Sequence, residues 1–302
     1  MPIRKKSTKP THTDDSISIN KYISDTGFCS RREADDYILQ ARVTINDDVA
    51  ITGNRVYDGD VVEIDGEPIK KKVKTVYIAF HKPKGITSTT DTKDKTNIVD
   101  CINFKQRIFP IGRLDKESEG LIFLTNDGNI VNKILRAGNN HEKEYLVTVD
   151  KPLSTDFIKQ MGAGVKILGD TTKPCKVVQE SKYMFRITLT QGMNRQIRRM
   201  CDALDYKVKK LLRIRIMNVY LGKLPLGHWR LLTPEEIDLI NKMVAESSKT
   251  QEVSYTPKRK KPEKPIVPVE KEFSSADYVK SIEKKEKKTK GFAEFRKAGK
   301  KK

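Results

Sequence analysis

The spacing of apolar residues predicts a small separate domain in the first part of the chain. Between residues 17 and 66 these positions first recur with a helical period and then alternate as in short strands. The first helical face ends at Gly27, and Ser30 followed by Glu33 forms a capping box that begins a second helix. The pattern therefore predicts a domain at 17–66, with two helices followed by strands near residues 43–45, 49–51 and 61–64.

The second part of the chain, residues 76–246, predicts many short strands and few helices. The sequence LIFL at 121–124 is uniformly apolar and bounded by turn residues, which is typical of a buried strand. On the run around 211–217 we expect Arg213 and Arg215 to face outward. The other predicted strands lie near 76–80, 146–149, 175–178 and 183–189, and the predicted helices near 130–135, 194–204 and from residue 233 onward.

Three segments lack such patterning. Residues 1–16 and 247–302 are polar, basic and poor in apolar side chains, so we expect a disordered N-terminus and a disordered basic tail. Residues 67–75 are rich in lysine and are predicted to be a linker.

Charge points to a polyanionic partner. The 302 residues carry a formal net charge of +20, and the segment 249–302 and the rest of the chain each contribute half of it. Such a balance favours nucleic acid as the partner. The four cysteines form no CxxC pair and the histidines are scattered, so neither a disulfide framework nor a zinc site is predicted. With no membrane-length apolar run and no secretory signal, we expect a cytoplasmic protein that has no membrane partner.

One acid stands out in the sequence FPIGRLDKESEGLIFLTNDG. Asp115 lies between Arg113 and Lys116, immediately before the predicted buried strand. The residues alone leave two interpretations open. Asp115 is either a solvated loop acid paired with one of these neighbours, or a carboxylate fixed at the edge of a cleft.

This sequence resembles the signature of the RsuA/RluB/RluE/RluF group of bacterial pseudouridine synthases, and the match extends over residues 17–246. The resemblance implies that Asp115 is the catalytic carboxylate. The KEYLVTV segment resembles a second motif of the family, in which Tyr145 packs against the target base. The QGMNRQIRRM segment resembles a third, in which Arg198 pairs with the catalytic acid. The HKPKG turn resembles the KPxG motif, whose Lys82 we expect to contact substrate phosphate.

The first domain resembles the S4-like RNA-binding domain, which implies an RNA surface. Basic side chains position a nucleic-acid backbone without reading its sequence, although each one alone is equally compatible with an ordinary solvated surface charge. The residues expected to contact RNA are Lys21, Arg31, Arg32, Lys82, Arg113, Arg195 and Arg199.

The implied fold is α+β, with a mixed, mainly antiparallel sheet in a catalytic domain at 76–246 behind the S4-like domain. The implied reaction converts uridine to pseudouridine in large-subunit (23S) ribosomal RNA. The carboxylate acts either as a nucleophile on the sugar or as a base on a sugar proton. The reaction requires no cofactor and no metal, and we expect a monomer. Transfer RNA or small-subunit ribosomal RNA are alternative substrates, and a non-catalytic RNA-binding or ribosome-assembly protein is the competing class.

Overall fold

A computed structural model describes residues 16–69, 74–135 and 141–245. The predicted disordered N-terminus and basic tail lie outside these ranges, apart from Ser16, and so do residues 70–73 of the predicted linker. In the described ranges no helix is both long and apolar enough to cross a membrane.

The N-terminal segment contains the two predicted helices and a small antiparallel sheet. Ser30 accepts a hydrogen bond from the Glu33 amide, and the Glu33 side chain accepts one from the Ser30 amide, so the capping box is confirmed. Its elements are β1 (Ile17–Ser18), α1 (Ile19–Asp25), α2 (Arg31–Leu39), β2 (Val43–Ile45), β3 (Asp48–Val49), β4 (Arg55–Val56), β5 (Val62–Ile64) and β6 (Glu67–Pro68). One hydrophobic cluster, drawn from residues 19–69, holds the helices on the sheet.

The strand β6 lies inside the segment predicted to be a linker, so the ordered N-terminal segment continues past residue 66. Asp65 and Gly66 both have positive φ, 55° and 78°, and close a tight hairpin that pairs Glu67 with Ile64. Ile69 then packs against the N-terminal cluster. The likeness of this segment to an S4 domain remains a prediction.

The rest of the described chain forms a nine-stranded sheet with helices on both faces. The strands are β7 (Tyr77–Lys82), β8 (Phe109–Ile111), β9 (Glu119–Thr125), β10 (Lys143–Val149), β13 (Lys176–Ser181), β14 (Met184–Leu189), β15 (Val208–Ile216), β16 (Val219–Tyr220) and β17 (Trp229–Leu231). The helices are α3 (Ile98–Ile102), α4 (Gly128–Leu135), α5 (Thr155–Ala163), α6 (Gln196–Ala203) and α7 (Pro234–Ala245), and a separate hairpin pairs β11 (Lys166–Ile167) with β12 (Asp170–Thr171).

The order across the sheet is β13-β14-β10-β15-β9-β7-β17, with β16 on β15 and β8 on β9. Its strand pairs are antiparallel except for β9 with β15, which is parallel. The expected α+β class with a mixed, mainly antiparallel sheet is therefore confirmed.

Burial on both faces explains the uniform apolar run in β9. Ile122 and Leu124 point into a cluster shared with α3, α5 and α6, whereas Leu121 and Phe123 point into a second cluster shared with α4 and α7. A strand covered on both faces has no polar side to alternate with its apolar one. Consequently β9 is a rigid support for the loop that precedes it.

Candidate active site

Asp115 lies in the loop between β8 and β9, and backbone contacts fix this loop from both sides. The Ser118 amide donates to the Asp115 carbonyl at 3.0 Å, and the Gly85 amide donates to the Lys116 carbonyl at 2.7 Å. The hydroxyl of buried Ser88 donates to the Leu114 carbonyl at 2.8 Å. The backbone of the loop is therefore fixed, while the Asp115 side chain remains 34% exposed.

Gly120, at the start of β9, permits a close approach between strands. Its φ is +122°, and a Cβ built there would lie 2.4 Å from the Arg213 carbonyl oxygen and 2.5 Å from the Arg213 amide nitrogen. No side chain fits at that distance. The glycine therefore allows β15 to pair with β9 immediately behind the Asp115 loop.

The cations that contact Asp115 come from the start of α6 and not from its sequence neighbours. Arg198 Nε and Arg195 Nη1 each lie 3.9 Å from Oδ2 of Asp115. Arg198 is also anchored to the acid's own loop, because its Nη2 donates to the Ser118 hydroxyl at 3.2 Å and to the Glu117 carbonyl at 3.4 Å. The pairing of Asp115 with Arg113 or Lys116, left open by the sequence, does not occur among the ion pairs of the described residues.

Tyr145 lies in a row of paired residues that crosses the sheet beside this loop. Lys82 pairs with Gly120, Gly120 with Arg213, and Arg213 with Tyr145. The Tyr145 ring is buried in the cluster that also contains Leu114, and the Arg213 guanidinium carbon lies 6.0 Å from its centroid. The structure thus brings Tyr145 to the side of the sheet on which the Asp115 loop is anchored.

The expectation that Lys82 contacts RNA phosphate is not supported by its position. Lys82 is fully buried, and its Nζ donates to the carbonyls of Pro83 at 3.0 Å and Ile86 at 2.8 Å. Burial, reinforced by the charge of Arg213 and opposed by that of Asp115, lowers the pKa of Lys82 to about 8. Lys82 therefore stabilises the turn that follows β7 from the inside.

Two further cations were missed or misplaced by the sequence interpretation. Arg213, expected to face outward, is buried, and its Nε donates to the Leu121 carbonyl at 2.6 Å. Lys143 was not singled out, and burial together with the charge of Arg213 lowers its pKa to about 8. Arg213 is therefore close enough to Lys82 and Lys143 to lower the pKa of both lysines. The sequence carries no local signal for this proximity, because the strands concerned are brought together only by the fold.

Arg215, which was expected to face outward, is only 13% exposed because it belongs to an ion-pair network. Its Nε donates to Glu144 at 2.8 Å and its Nη2 to Glu142 at 2.8 Å, while Arg186 donates to Glu144 at 2.7 Å. Burial opposes ionisation of Glu144, but the hydrogen bonds from Arg186 and Arg215 outweigh it and lower the pKa of this carboxyl. The network joins β10, β14 and β15.

The other residues expected to bind RNA occupy surface positions. Arg31, Arg32 and Arg113 are exposed. Lys21 pairs with Asp25 at 3.3 Å, one turn along α1, and Arg199 donates from Nη2 to the Asn194 side chain at 3.2 Å. The arrangement is compatible with RNA contact but does not by itself distinguish it from solvated charge.

Comparison with known proteins identifies the family. A dual-specificity RNA pseudouridine synthase RluF of Escherichia coli (strain CFT073) is 55% identical over 262 residues, which is 85% of this chain and 90% of that protein. The chain belongs to the RsuA/RluF-type pseudouridine synthases. Residues 76–203 match the family model for RNA pseudouridylate synthase. The ribosomal large subunit pseudouridine synthase B of Bacillus subtilis is 32% identical over 228 residues, covering 72% of this chain and 93% of that one.

A solved structure agrees with this assignment. A crystal structure of a pseudouridylate synthase matches with a TM-score of 0.56 at 28% identity, covering 74% of this chain and all of that one. The chain is therefore an RNA pseudouridine synthase, an isomerase that acts on RNA, and the competing interpretation as a non-catalytic binding protein is wrong. A partly exposed carboxylate beside two guanidinium groups can act as a nucleophile or as a base.

Proposed function

We propose that this synthase isomerises uridine in large-subunit (23S) ribosomal RNA, with Asp115 as the catalytic carboxylate and transfer RNA as a second substrate. The observation that carries the proposal is the partly exposed Asp115, on a loop fixed by backbone hydrogen bonds, beside Arg198. The names of the similar proteins, one dual-specificity and one acting on the large ribosomal subunit, support the choice of RNA. We expect the protein to be cytoplasmic, since ribosomal and transfer RNA are encountered in the cytoplasm. We also expect it to be a monomer.

The target base must first leave its stack, at a cost of a few kcal/mol. The glycosidic bond between N1 and C1′ then breaks, the uracil turns, and C5 joins C1′. Asp115 either attacks C1′ as a nucleophile or removes a sugar proton as a base. Arg198 orients the carboxylate from a position fixed by Ser118. Tyr145 forms a wall against which the detached uracil packs.

RNA contact outside the reacting nucleotide falls to the exposed cations. Arg31 and Arg32 lie at the start of α2. Arg113 lies in the Asp115 loop, and Arg195 and Arg199 lie at the start of α6. Such residues neutralise phosphates, so binding should weaken steeply with salt. We exclude Lys82 from this set because its ammonium group is buried against carbonyl oxygens.

The direct test maps pseudouridine in ribosomal and transfer RNA by carbodiimide modification and primer extension, in cells with and without the gene. We expect a site in 23S RNA to be lost on deletion and restored by wild type but not by Asp115→Asn. The variant should still bind RNA, because the carboxylate makes no contribution to phosphate contact. Substantial residual turnover in Asp115→Asn would refute the catalytic assignment, and an unchanged 23S map would refute the substrate.

A further inference from the structure

Two arginines approach the same oxygen of Asp115, but they are held in different ways. Arg198 is 12% exposed and donates to Ser118 and to the Glu117 carbonyl. Arg195 is 40% exposed, and its guanidinium is held by the Glu117 carboxylate, with Nη1 and Nη2 each 3.3 Å from Oε2. Arg198 is therefore fixed to the loop that carries Asp115, whereas Arg195 is held near Asp115 by an exposed carboxylate.

The contact between Arg195 and Glu117 is easily exchanged. Glu117 is 65% exposed, and an ion pair in such a position changes an equilibrium by a factor of only about 2 to 5. A phosphate offers Arg195 a stronger, bidentate partner and also releases counterions from the RNA. When RNA reaches this loop, one of its phosphates should therefore replace Glu117 as the partner of Arg195.

Removing Arg195 would also change the surroundings of Asp115. At 3.9 Å neither guanidinium makes a hydrogen bond to Oδ2, and the Nε of Arg198 has no hydrogen-bond partner among the described residues. Once Arg195 no longer attracts this oxygen, the carboxylate is free to form a hydrogen bond with Arg198 Nε. Catalytic hydrogen bonds that are long in the free enzyme commonly tighten in this way when substrate binds.

We propose that Glu117 and Arg195 form a cover over Asp115 that RNA displaces. In the free enzyme Glu117 holds Arg195 beside the catalytic carboxylate. On binding, a phosphate of the substrate replaces Glu117, Arg195 leaves Asp115, and the carboxylate is oriented by Arg198 alone. This inference rests on the proposed function, because it takes Asp115 as the reacting group. Glu117 and Arg195 are positioning residues, and neither takes part in bond making.

The test is a double-mutant cycle on the full chain with a transcript of 23S ribosomal RNA. Equilibrium binding and the rate of pseudouridine formation are measured for wild type, Glu117→Gln, Arg195→Gln and the double variant at several salt concentrations. Asp202→Asn removes an exposed acid from α6 and serves as the matched control for loss of a negative charge, with no change expected.

We expect Glu117→Gln to tighten binding about two- to fivefold, the strength of the exposed pair it removes. In the Arg195→Gln background the same substitution should have no effect. Arg195→Gln should make the negative slope of log K against log salt shallower by about 0.7 to 0.9, the value for one phosphate contact. The tighter binding of Glu117→Gln should appear as a lower KM.

The cover is refuted if Glu117→Gln tightens binding equally with and without Arg195, since Glu117 would then act only as a general negative charge. It is also refuted if Glu117→Gln weakens binding. A wild-type protein that binds the transcript without forming pseudouridine would contradict the proposed substrate instead, while the binding cycle would still decide whether the cover exists.

Discussion

Replacing Gly120 by alanine should damage both stability and turnover, because the residue sits where two strands approach most closely. A Cβ would lie 2.4 Å from the Arg213 carbonyl oxygen, whereas carbon and oxygen normally stay more than about 3.4 Å apart. The strands would have to separate by roughly 1 Å. A backbone at φ +122° adds strain of about 1–3 kcal/mol for a residue with a side chain.

The separation of the strands should cost a further ~1–3 kcal/mol, the usual cost of forcing extra atoms into a packed core. The total, about 2–6 kcal/mol, is a large part of the roughly 5–15 kcal/mol that holds a domain together. A shift of about 1 Å between Asp115 and Arg198 should also lower kcat about a hundredfold. Both quantities are accessible, the first from urea unfolding followed by circular dichroism and the second from pseudouridine formation on a transcript.

Gly128→Ala is the matched control. Nothing lies within 4 Å of a Cβ at Gly128, which begins α4, so alanine should change stability by about 1 kcal/mol or less, in the stabilising direction. If Gly120→Ala unfolds at the same urea concentration as Gly128→Ala and retains normal turnover, the close approach of β9 and β15 does not hold the site together.

Three further predictions concern charge and capping. The folded Lys143 loses its proton near pH 8 and the unfolded one near 10.5, so its contribution makes the free energy of unfolding rise with pH from 8 to 9. This rise should be smaller in Lys143→Met, and equal slopes would contradict the lowered pKa of Lys143. Glu144→Gln should cost about 1.5–3 kcal/mol at pH 7, and more than Glu142→Gln, because two arginines donate to Glu144. Since its folded pKa is lowered, the advantage of Glu144 over glutamine should disappear as the pH falls below 4.5. Ser30→Ala should cost about 1 kcal/mol in thermal unfolding, and Ser30→Asn, which still caps, about none.

Local signals were sufficient for much of the fold. The uniform run in β9 predicted a buried strand, and the Ser30 capping box predicted the start of α2, since both depend on neighbours in sequence. The helix α5 (Thr155–Ala163) was missed although Ser154 caps it and Phe157 and Met161 are spaced by four. That signal was present in the sequence and was overlooked.

The site was predictable only in part. The resemblance singled out Asp115, Tyr145 and Arg198, which the structure brings to one side of the sheet, but spacing alone could not join residues so far apart in the chain. The burial of Lys82 and Arg213 contradicts the general preference of such residues for solvent. It depends on backbone carbonyls and on strand neighbours that only the folded chain supplies.

The parallel pairing of β9 with β15 divides the large sheet into two halves. The register of this seam consists of Leu212 with Glu119 and Arg213 with Gly120. The loop of Asp115 leads into β9 on one side of the seam, whereas Arg198 and Tyr145 belong to the other. A fragment that ends at residue 135 carries Asp115 without Arg198 or Tyr145, and the remaining fragment carries those two together with β17, which pairs with β7. Two such fragments, expressed separately, would regain activity only by reassociating, so turnover could serve as a reporter of complementation between them.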